Sequence, residues 1–307
     1  MPDRPAVAIL LSAYNGAPFL PEQLASLLAQ DTAAWSLFWR DDGSSDDSPD
    51  ILRRFGQDHP GRCREVGNGE RLGVTGSFMA LLRAAHAEGA EAAAFSDQDD
   101  VWLPHKVSRA LAALAEVPDG VPALYCARQI LTDPRLNRLG LSFSLRRPPG
   151  FPAALTQNIA TGCTVVLNRA AMTLIAGSVA PGCTLHDWWC YLVVAAAGGR
   201  LIGDDEPVVL YRQHPGNLVG APRTRSHRAL AAARRGPGLF MTVLRGHVAG
   251  LLDQPQLLSP QAAQILRTLA AGLRGGPAAR WRALRLAGLH RQTWGETQVF
   301  RVWFLVG

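Results

Sequence analysis

Between residues 6 and 95 the sequence alternates three times between a short strand-like run and an amphipathic helix, and that rhythm leaves few folds open. Ala6-Val7-Ala8-Ile9-Leu10-Leu11 is apolar without interruption, as in a strand buried on both faces. Residues 36–40, 63–66 and 92–95 follow as further strands. Between them, Leu20, Leu24, Leu27 and Leu28 fall at i, i+4, i+7 and i+8 around the helix-opening Pro21. Ser48-Pro49 reads as the N-cap and first position of a helix to about Gln57. Phe78, Leu81, Leu82 and Ala85 line one side of a helix over residues 77–87. This alternation implies β-α-β units and a mostly parallel sheet flanked by helices, an α/β fold. In such sheets ligands sit beyond the carboxyl ends of the strands.

That rule joins three loops. Residues 12–15, 41–47 and 97–100 each follow a predicted strand, so all three should line one crevice. Seven of the 23 acidic residues in the first 220 lie in the latter two loops. The most crowded stretch is Phe95-Ser96-Asp97-Gln98-Asp99-Asp100-Val101-Trp102, with a helix expected to begin at Pro104. Carboxylates packed just past a buried strand repel one another and are costly to desolvate. A divalent cation offsets that cost: carboxylate oxygens suit Mg²⁺ or Mn²⁺, ions that usually complete their shell with substrate phosphates. Taken alone, the stretch reads equally well as a solvated acidic loop.

Further along, 104–115 reads as a helix and 123–127 as a strand. Residues 132–152, rich in Pro, Arg and Gly, read as a long loop able to cover the site. Residues 161–167 read as a strand, and Thr184-Leu185-His186-Asp187-Trp188-Trp189 as the opening of a helix to about Ala197. Residues 207–211 read as a last strand, ending in Arg212-Gln213-His214. After about Gly220 the pattern changes to Arg-rich amphipathic helices at 226–235, 239–252, 260–273 and 278–289. The chain therefore divides into 1–220 and a basic helical extension, 221–307.

The charge divides at the same point. Residues 1–220 hold 18 basic and 23 acidic side chains, whereas 221–307 hold 13 Arg against Asp253 and Glu296, a net of +11. A basic tail on an acidic domain suggests a polyanionic partner, an anionic membrane surface or nucleic acid. Lys106 is the only lysine, so part of the Arg bias reflects genome composition. No stretch reaches about 18 uninterrupted apolar residues, so no membrane-spanning helix is expected. The first residues do not read as a secretory signal. Cys63, Cys126, Cys163, Cys183 and Cys190 include no C-x-x-C pair and read as reduced, buried cytosolic cysteines.

Six motifs carry a resemblance. Ser12-Ala13-Tyr14-Asn15, Arg40-Asp41-Asp42-Gly43-Ser44-Ser45-Asp46, Ser96-Asp97-Gln98-Asp99-Asp100-Val101-Trp102-Leu103-Pro104, Thr161-Gly162-Cys163-Thr164, His186-Asp187-Trp188-Trp189 and Tyr211-Arg212-Gln213-His214 resemble, in that order, glycosyltransferase family 2. The match looks most like its bacterial rhamnosyltransferase-type branch. It covers residues 6–214 and leaves the tail out. The resemblance implies a GT-A (Rossmann-like) fold, a nucleotide-diphosphate-sugar donor, a divalent metal and inversion at the anomeric carbon.

It also implies roles. Asp42, second of the Asp41 and Asp42 pair, would accept the imide N–H of uracil or thymine, as a carboxylate can. Ala13, Tyr14 and Asn15 would contact base and ribose, or form a plain turn. Asp97 and Asp99 would be the D-x-D pair, Asp99 on the metal and Asp97 on the ribose or metal waters. Asp187 would be the base that takes the incoming hydroxyl's proton, which inversion in one displacement needs. A helix start favours its ionised form; it is equally a place where Asp caps helices. Residues 41–47 likewise read as caps of the next helix. Arg212 and His214 would grip the diphosphate or complete the metal shell, or else form a structural salt bridge. Residues 73–77 would turn a helix N-terminus toward phosphates. Trp188 and Trp189, with Trp102, offer an aromatic platform for the acceptor, at least one of them being core. His186 either orients Asp187 or is a buried structural histidine.

The expected activity is transfer of a sugar, rhamnose on resemblance alone, from a dTDP- or UDP-sugar to a saccharide or lipid-linked acceptor in cell-surface polysaccharide synthesis. Two other readings stay open. A sugar-nucleotide nucleotidyltransferase usually wants a Gly-rich loop with a Lys or Arg, and residues 12–16 hold neither. A non-catalytic sugar- or polyanion-binding protein would use the basic tail. That tail interleaves Arg with Leu, Trp and Phe and ends in Val299, Val302, Trp303, Phe304 and Leu305. It is expected to lie on the anionic inner face of the plasma membrane as a peripheral contact, or to be a solvated appendage or an oligomer interface. The protein is expected in the cytoplasm, without a nucleic-acid partner.

Overall fold

The sequence alternation becomes seven elements: β1 (Val7–Ala13), α1 (Leu20–Leu28), β2 (Trp35–Asp41), α2 (Ser48–Asp58), β3 (Cys63–Glu65), α3 (Gly73–Ala87) and β4 (Ala92–Asp97). The structure is a computed structural model that describes residues 6–67, 70–214 and 225–307, with 225–236 as backbone alone. Strands β3, β2, β1 and β4 lie side by side, all parallel. Ala13 stands opposite Asp41, and Ser12 opposite Asp97, so three strand ends reach one rim at one level.

The chain continues through β5 (Val101–Trp102), α4 (Lys106–Ala115), β6 (Ala123–Thr132), β7 (Arg138–Leu141), β8 (Val166–Asn168), α5 (Arg169–Ala176), α6 (His186–Ala196) and β9 (Arg200–Arg212). Strand order is β3-β2-β1-β4-β8-β6-β9-β5, with β7 on β6. Strand β8 runs antiparallel to both β4 and β6, while β6 and β9 are parallel. The mixed α/β sheet thus has two parallel blocks joined through an antiparallel strand.

Alternate side chains of a strand face opposite sides, and two apolar layers follow. Leu10, Phe38 and Phe95 meet Phe78 of α3, Met172 of α5 and Trp189 of α6. Ile9, Leu37 and Trp39 meet Leu24 of α1, Leu52 of α2 and Leu114 of α4. Helices α7 (Arg225–Leu252), α8 (Pro260–Arg274), α9 (Pro277–Ala287) and α10 (Trp294–Val306) follow. Met241, Leu266, Phe300 and Phe304 belong to the same apolar cluster as Leu10 and Phe95. Composition changes near residue 220, but the core runs on across it.

Several local expectations change. Residues 161–167 are not one strand. Thr164 N–H and Oγ1 both bond the Thr161 carbonyl (2.8 and 2.9 Å), curling 162–164 into a 3-10 turn before β8. The last strand starts seven residues earlier than its apolar core suggests. Polar Asp204-Asp205-Glu206 and Pro207 are carried through a register shift opposite Arg128, and proline inside a sheet belongs at such irregularities. The two helices expected at 226–235 and 239–252 are one, α7, with Pro237 inside it. Strand β7 lies within the expected loop 132–152. Helix α4 begins two residues after Pro104. Cys183 is exposed, whereas Cys126, Cys163 and Cys190 are buried. No helix among the described residues is long and apolar enough to cross a membrane.

A core shared by both parts of the chain should melt as one unit. Calorimetry is expected to show a single transition, and Phe300→Ala, at a fully buried site, to cost about 3–5 kcal/mol. Two separable transitions, with only the second sensitive to Phe300→Ala, would contradict this.

Candidate active site

The rim is held by hydrogen bonds between loops. Tyr14 N–H donates to Gln98 Oε1 (2.8 Å), and Gln98 Nε2 donates back to the Tyr14 carbonyl (2.9 Å). Asn15, at φ +49°, accepts from Ser45 N–H (2.8 Å), while its own N–H donates to Ser44 Oγ (2.9 Å). A Cβ on residue 16 would lie 2.2 Å from Gln98 Oε1, so Gly16 lets the Gln98 amide cross the loop. Buried Ala13 accepts from Asp42 N–H (2.8 Å). Tyr14 is exposed, with the Arg71 guanidinium 4.5 Å over its ring.

The carboxylates of the second loop shape it. Asp41 Oδ2 accepts from Gly43 and Ser44 N–H (3.1 and 3.0 Å). Buried Asp42 accepts from Leu72 N–H (2.6 Å), Gly73 N–H (2.9 Å) and Ser77 Oγ (2.9 Å). Capping does occur, as one reading of residues 41–47 expected: Asp46 Oδ1 accepts from Ser48 N–H (3.0 Å) at the start of α2, while Asp42 caps the entry to α3. Its Oδ2 accepts from Gly73 N–H, and a carboxylate oxygen can accept two hydrogen bonds.

In the third loop the acidic side chains divide. Asp99 turns outward: its Oδ2 lies 2.8 Å from His214 Nε2, 115 residues away, and the imidazole stacks on Phe19 (4.8 Å). Both side chains keep about one-sixth of their surface in solvent, 15 % and 16 %. Asp97 and Asp100 turn inward. With Cys163 they place ligand atoms within 4.8 Å of one another, the one such cluster among the described residues. Burial, then Asp99 and then Asp187, pushes the Asp97 carboxyl up to about 7. Burial, then Asp99 and Asp97, raises fully buried Asp100 well above the carboxylate range. Lys106 lies beneath them, also fully buried. Its Nζ donates to the Cys163 carbonyl (2.6 Å) and sits 3.0 Å from the Trp102 ring centroid. Burial pulls its ammonium well below the lysine range, against the pull of Cys163, Asp100 and Asp97.

Arg212 does not project into the crevice to grip a diphosphate. It is 3 % exposed, and its guanidinium donates to the Asp99 carbonyl (2.8 Å), the Pro134 carbonyl (2.5 Å) and Glu22. Its backbone N–H donates to Asp100 Oδ1 (3.1 Å). The end of β9 is thereby clamped to the acidic loop, which is the structural salt bridge of the second reading.

Asp187 sits in the first turn of α6. Its Oδ2 accepts from Gly162 N–H (3.0 Å) and its Oδ1 from Trp188 N–H (2.6 Å). Burial pushes this carboxyl up to about 6 against those bonds and one to Asn158. A Cβ on residue 162 would lie 2.9 Å from His186 Nε2 and 3.7 Å from Asp187 Cβ, so Gly162 allows the turn to approach. His186 is the structural histidine: it stacks on Phe78 (3.9 Å), meets Phe95 edge-on, and burial lowers it to about 3. The aromatic platform does not form. Trp189 is fully buried, donating to Ser178 Oγ (2.8 Å), and Trp102 is buried over Lys106. Trp188 is half-buried, donating to the Ala154 carbonyl (2.8 Å).

Sequence reasoning assigned no role to Gln98, Asn158, Gly162 or Lys106. Gln98 and Gly162 stood inside two of the six motifs, Lys106 stood out as the one lysine among 31 basic residues, and Asn158 left no signal.

A family model for glycosyl transferase family 2 matches residues 8–171, more than half the chain. The chain belongs to glycosyl transferase family 2. The dTDP-rhamnosyl transferase RfbG of Shigella flexneri is 28% identical over 224 residues, 69% of this chain and 74% of that protein. The UDP-Glc:alpha-D-GlcNAc-diphosphoundecaprenol beta-1,3-glucosyltransferase WfgD of Escherichia coli is 25% identical over 167 residues, 54% of this chain and 61% of its own. Two solved structures share the GT-A fold. S. aureus TarS 1-349 in complex with UDP-GlcNAc matches with TM-score 0.57 at 15% identity, over 92% of this chain and 81% of that one. The mannosyltransferase PcManGT from Pyrobaculum calidifontis, in complex with GDP-Man and Mn2+, matches with TM-score 0.50 at 20% identity, over 99% and 86%.

Gly162→Ala should push the turn off the start of α6. Turnover is expected to fall about 10²-fold, the scale of a misplacement near 1 Å, with donor KM little changed. Steady-state kinetics giving wild-type turnover would contradict the packing.

Proposed function

We propose that this glycosyltransferase inverts the anomeric centre, carrying a sugar from a dTDP- or UDP-sugar to a hydroxyl of a saccharide or lipid-linked acceptor in cell-surface polysaccharide synthesis. The observation that supports the reading is one shared turn: its Gly162 N–H bonds Asp187 Oδ2, and its Cys163 Sγ lies within 4.8 Å of carboxylate oxygens of Asp97 and Asp100, so Asp187 and the acidic loop flank the same turn. Residues 1–220 hold the chemistry. The name of the Shigella flexneri relative supports rhamnose and dTDP.

In the proposed step the acceptor oxygen attacks the anomeric carbon opposite the leaving diphosphate. Asp187 takes the hydroxyl proton as the new C–O bond forms and the bond to the diphosphate breaks. The oxocarbenium-like character expected of such a state suits a carboxylate held nearby. Two backbone N–H groups fix the direction of Asp187, and its raised pKa keeps it a competent base near neutrality. Asp42 and the exposed Tyr14 would receive base and ribose, with Ala13, Asn15 and Asp41 setting the loops that hold them.

Asp99 and His214 offer one carboxylate oxygen and one imidazole nitrogen side by side at the mouth. That pair, with Asp97 behind it, fits Mg²⁺ or Mn²⁺. A divalent ion there would supply positive charge to the departing diphosphate. The extension 221–307 would place the enzyme against the inner face of the plasma membrane, on the cytoplasmic side.

Asp187→Asn is expected to lower kcat about 10²–10⁴-fold while donor binding persists. For the unsubstituted chain, kcat/KM should fall as pH drops through about 6, because Asp187 must be ionised to accept the proton. An active Asp187→Asn enzyme, or an acidic limb near the ordinary carboxylate value, would remove Asp187 from the role. UDP or dTDP should raise the melting temperature only with Mn²⁺ or Mg²⁺, and Asp99→Asn or His214→Ala should abolish that gain. Equal protection without metal would refute the metal site. Hydrolysis of a panel of nucleotide sugars reads out the donor, and no turnover of any dTDP- or UDP-sugar would overturn the proposed donor class.

A further inference from the structure

Helix α10 is apolar on opposite sides. Phe300 and Phe304 face the core, yet Val299, Val302 and Val306, spaced i, i+3 and i+7, are all exposed. Trp294, at the helix start, is 73% exposed. A helix apolar all round is ordinarily buried. Helix α9 packs beside it, tied by Arg280 Nη1 to the Leu305 carbonyl (3.2 Å). It buries Ala283, Leu284 and Ala287 and leaves Trp281 and Leu286 in solvent. Single exposed apolar side chains are ordinary, whereas a stripe of them along one face of a helix, as on α10, marks an interaction surface.

The charge around them selects the partner. Residues 237–307 hold eight Arg against Asp253 and Glu296. The Glu296 carboxylate is engaged by Thr293 in the capping box of α10. Arg282, Arg285 and Arg301 are exposed and form no ion pair among the described residues. Arg285 lies 4.5 Å over the Trp281 ring. Such a surface matches an anionic bilayer: apolar side chains enter the acyl boundary while Arg side chains meet lipid phosphates. A second copy of this face would set Arg against Arg.

We infer that the α9–α10 face docks on an anionic lipid surface. The inference gives a location to the membrane contact proposed above for 221–307, and rests on that part of the reading. The same segment is hydrogen-bonded to residues 146–157. Gln292 Oε1 accepts from Arg146 and Arg147 N–H (2.8 and 3.0 Å), and Gln292 N–H donates to Gln157 Oε1 (3.0 Å). The next residue, Asn158, is a polar neighbour that lowers the Asp187 carboxyl against its burial. A docked α9–α10 face is therefore tied by hydrogen bonds to the segment that flanks Asp187.

The full-length protein is sedimented with phosphatidylcholine vesicles and with vesicles that also contain phosphatidylglycerol. It is expected to pellet with the second only and to be released at high ionic strength. Arg282→Gln, Arg285→Gln and Arg301→Gln should each lower the partition coefficient about fivefold. The pair Trp294→Ser and Val302→Asp should lower it at least as much, with donor hydrolysis unchanged. Equal pelleting with both vesicles, no pelleting with either, or indifference to these substitutions overturns the inference. So does a dimer in light scattering that Val302→Asp dissociates, which would assign the face to a second copy. Donor hydrolysis is read separately, so failure of glycosyl transfer and failure of docking are distinguishable.

Discussion

Three carboxylates of one acidic turn stand where water cannot fully screen them, and the rest of the site is arranged to keep them there. Raising Asp97 from its ordinary value to about 7 corresponds to a cost on the order of 4 kcal/mol for its ionised form. That is a sizeable part of the 5–15 kcal/mol by which a typical protein is stable. A fold tolerates such a cost where the charge has a use. Lys106, from α4, opposes it at Asp97, while Arg212 and His214, from the end of β9, bond Asp100 and Asp99 of the same turn. The long parallel pairing of β6 with β9 is what brings Arg212 and His214 to the rim.

The turn splits its work by direction. Asp100 and Asp97 point inward, toward Cys163 and the influence of Lys106, and anchor the loop. Asp99 points outward beside His214. Lys106 also bonds the carbonyl of the 3-10 turn whose Gly162 N–H orients Asp187. One buried lysine therefore links the acidic loop to the turn that orients Asp187, two parts that the chain separates by about ninety residues.

Sequence pattern disclosed the parts of this structure that periodicity controls. The strands and helices of the first hundred residues and the common rim of the loops at 12–15, 41–47 and 97–100 were legible, whereas Asp187 and His214 entered through the family resemblance. What stayed hidden depends on tertiary partners. Residues 161–167 carry strand-like residues, yet two bonds to the Thr161 carbonyl curl their middle. Arg212 and Trp189 have the chemistry of ligand contacts, but only burial tells that Arg212 is a clamp and Trp189 a core residue. Asp42 looks like a cap in sequence, and is one, for a helix thirty residues away. Lys106 was visible as a compositional oddity whose meaning required the fold.

The central claim is that Asp99 and His214, at the mouth, hold the cation that faces the diphosphate, while Asp97, Asp100 and Cys163 form an internally neutralised support. Crystals grown with Mn²⁺ and UDP or dTDP, recorded for anomalous scattering, test it most directly. The account predicts one strong peak bonded to Asp99 Oδ2 and His214 Nε2 and to the diphosphate. A peak inside the Asp97, Asp100 and Cys163 cluster, or nucleotide bound at the rim with no metal beside Asp99, would contradict it.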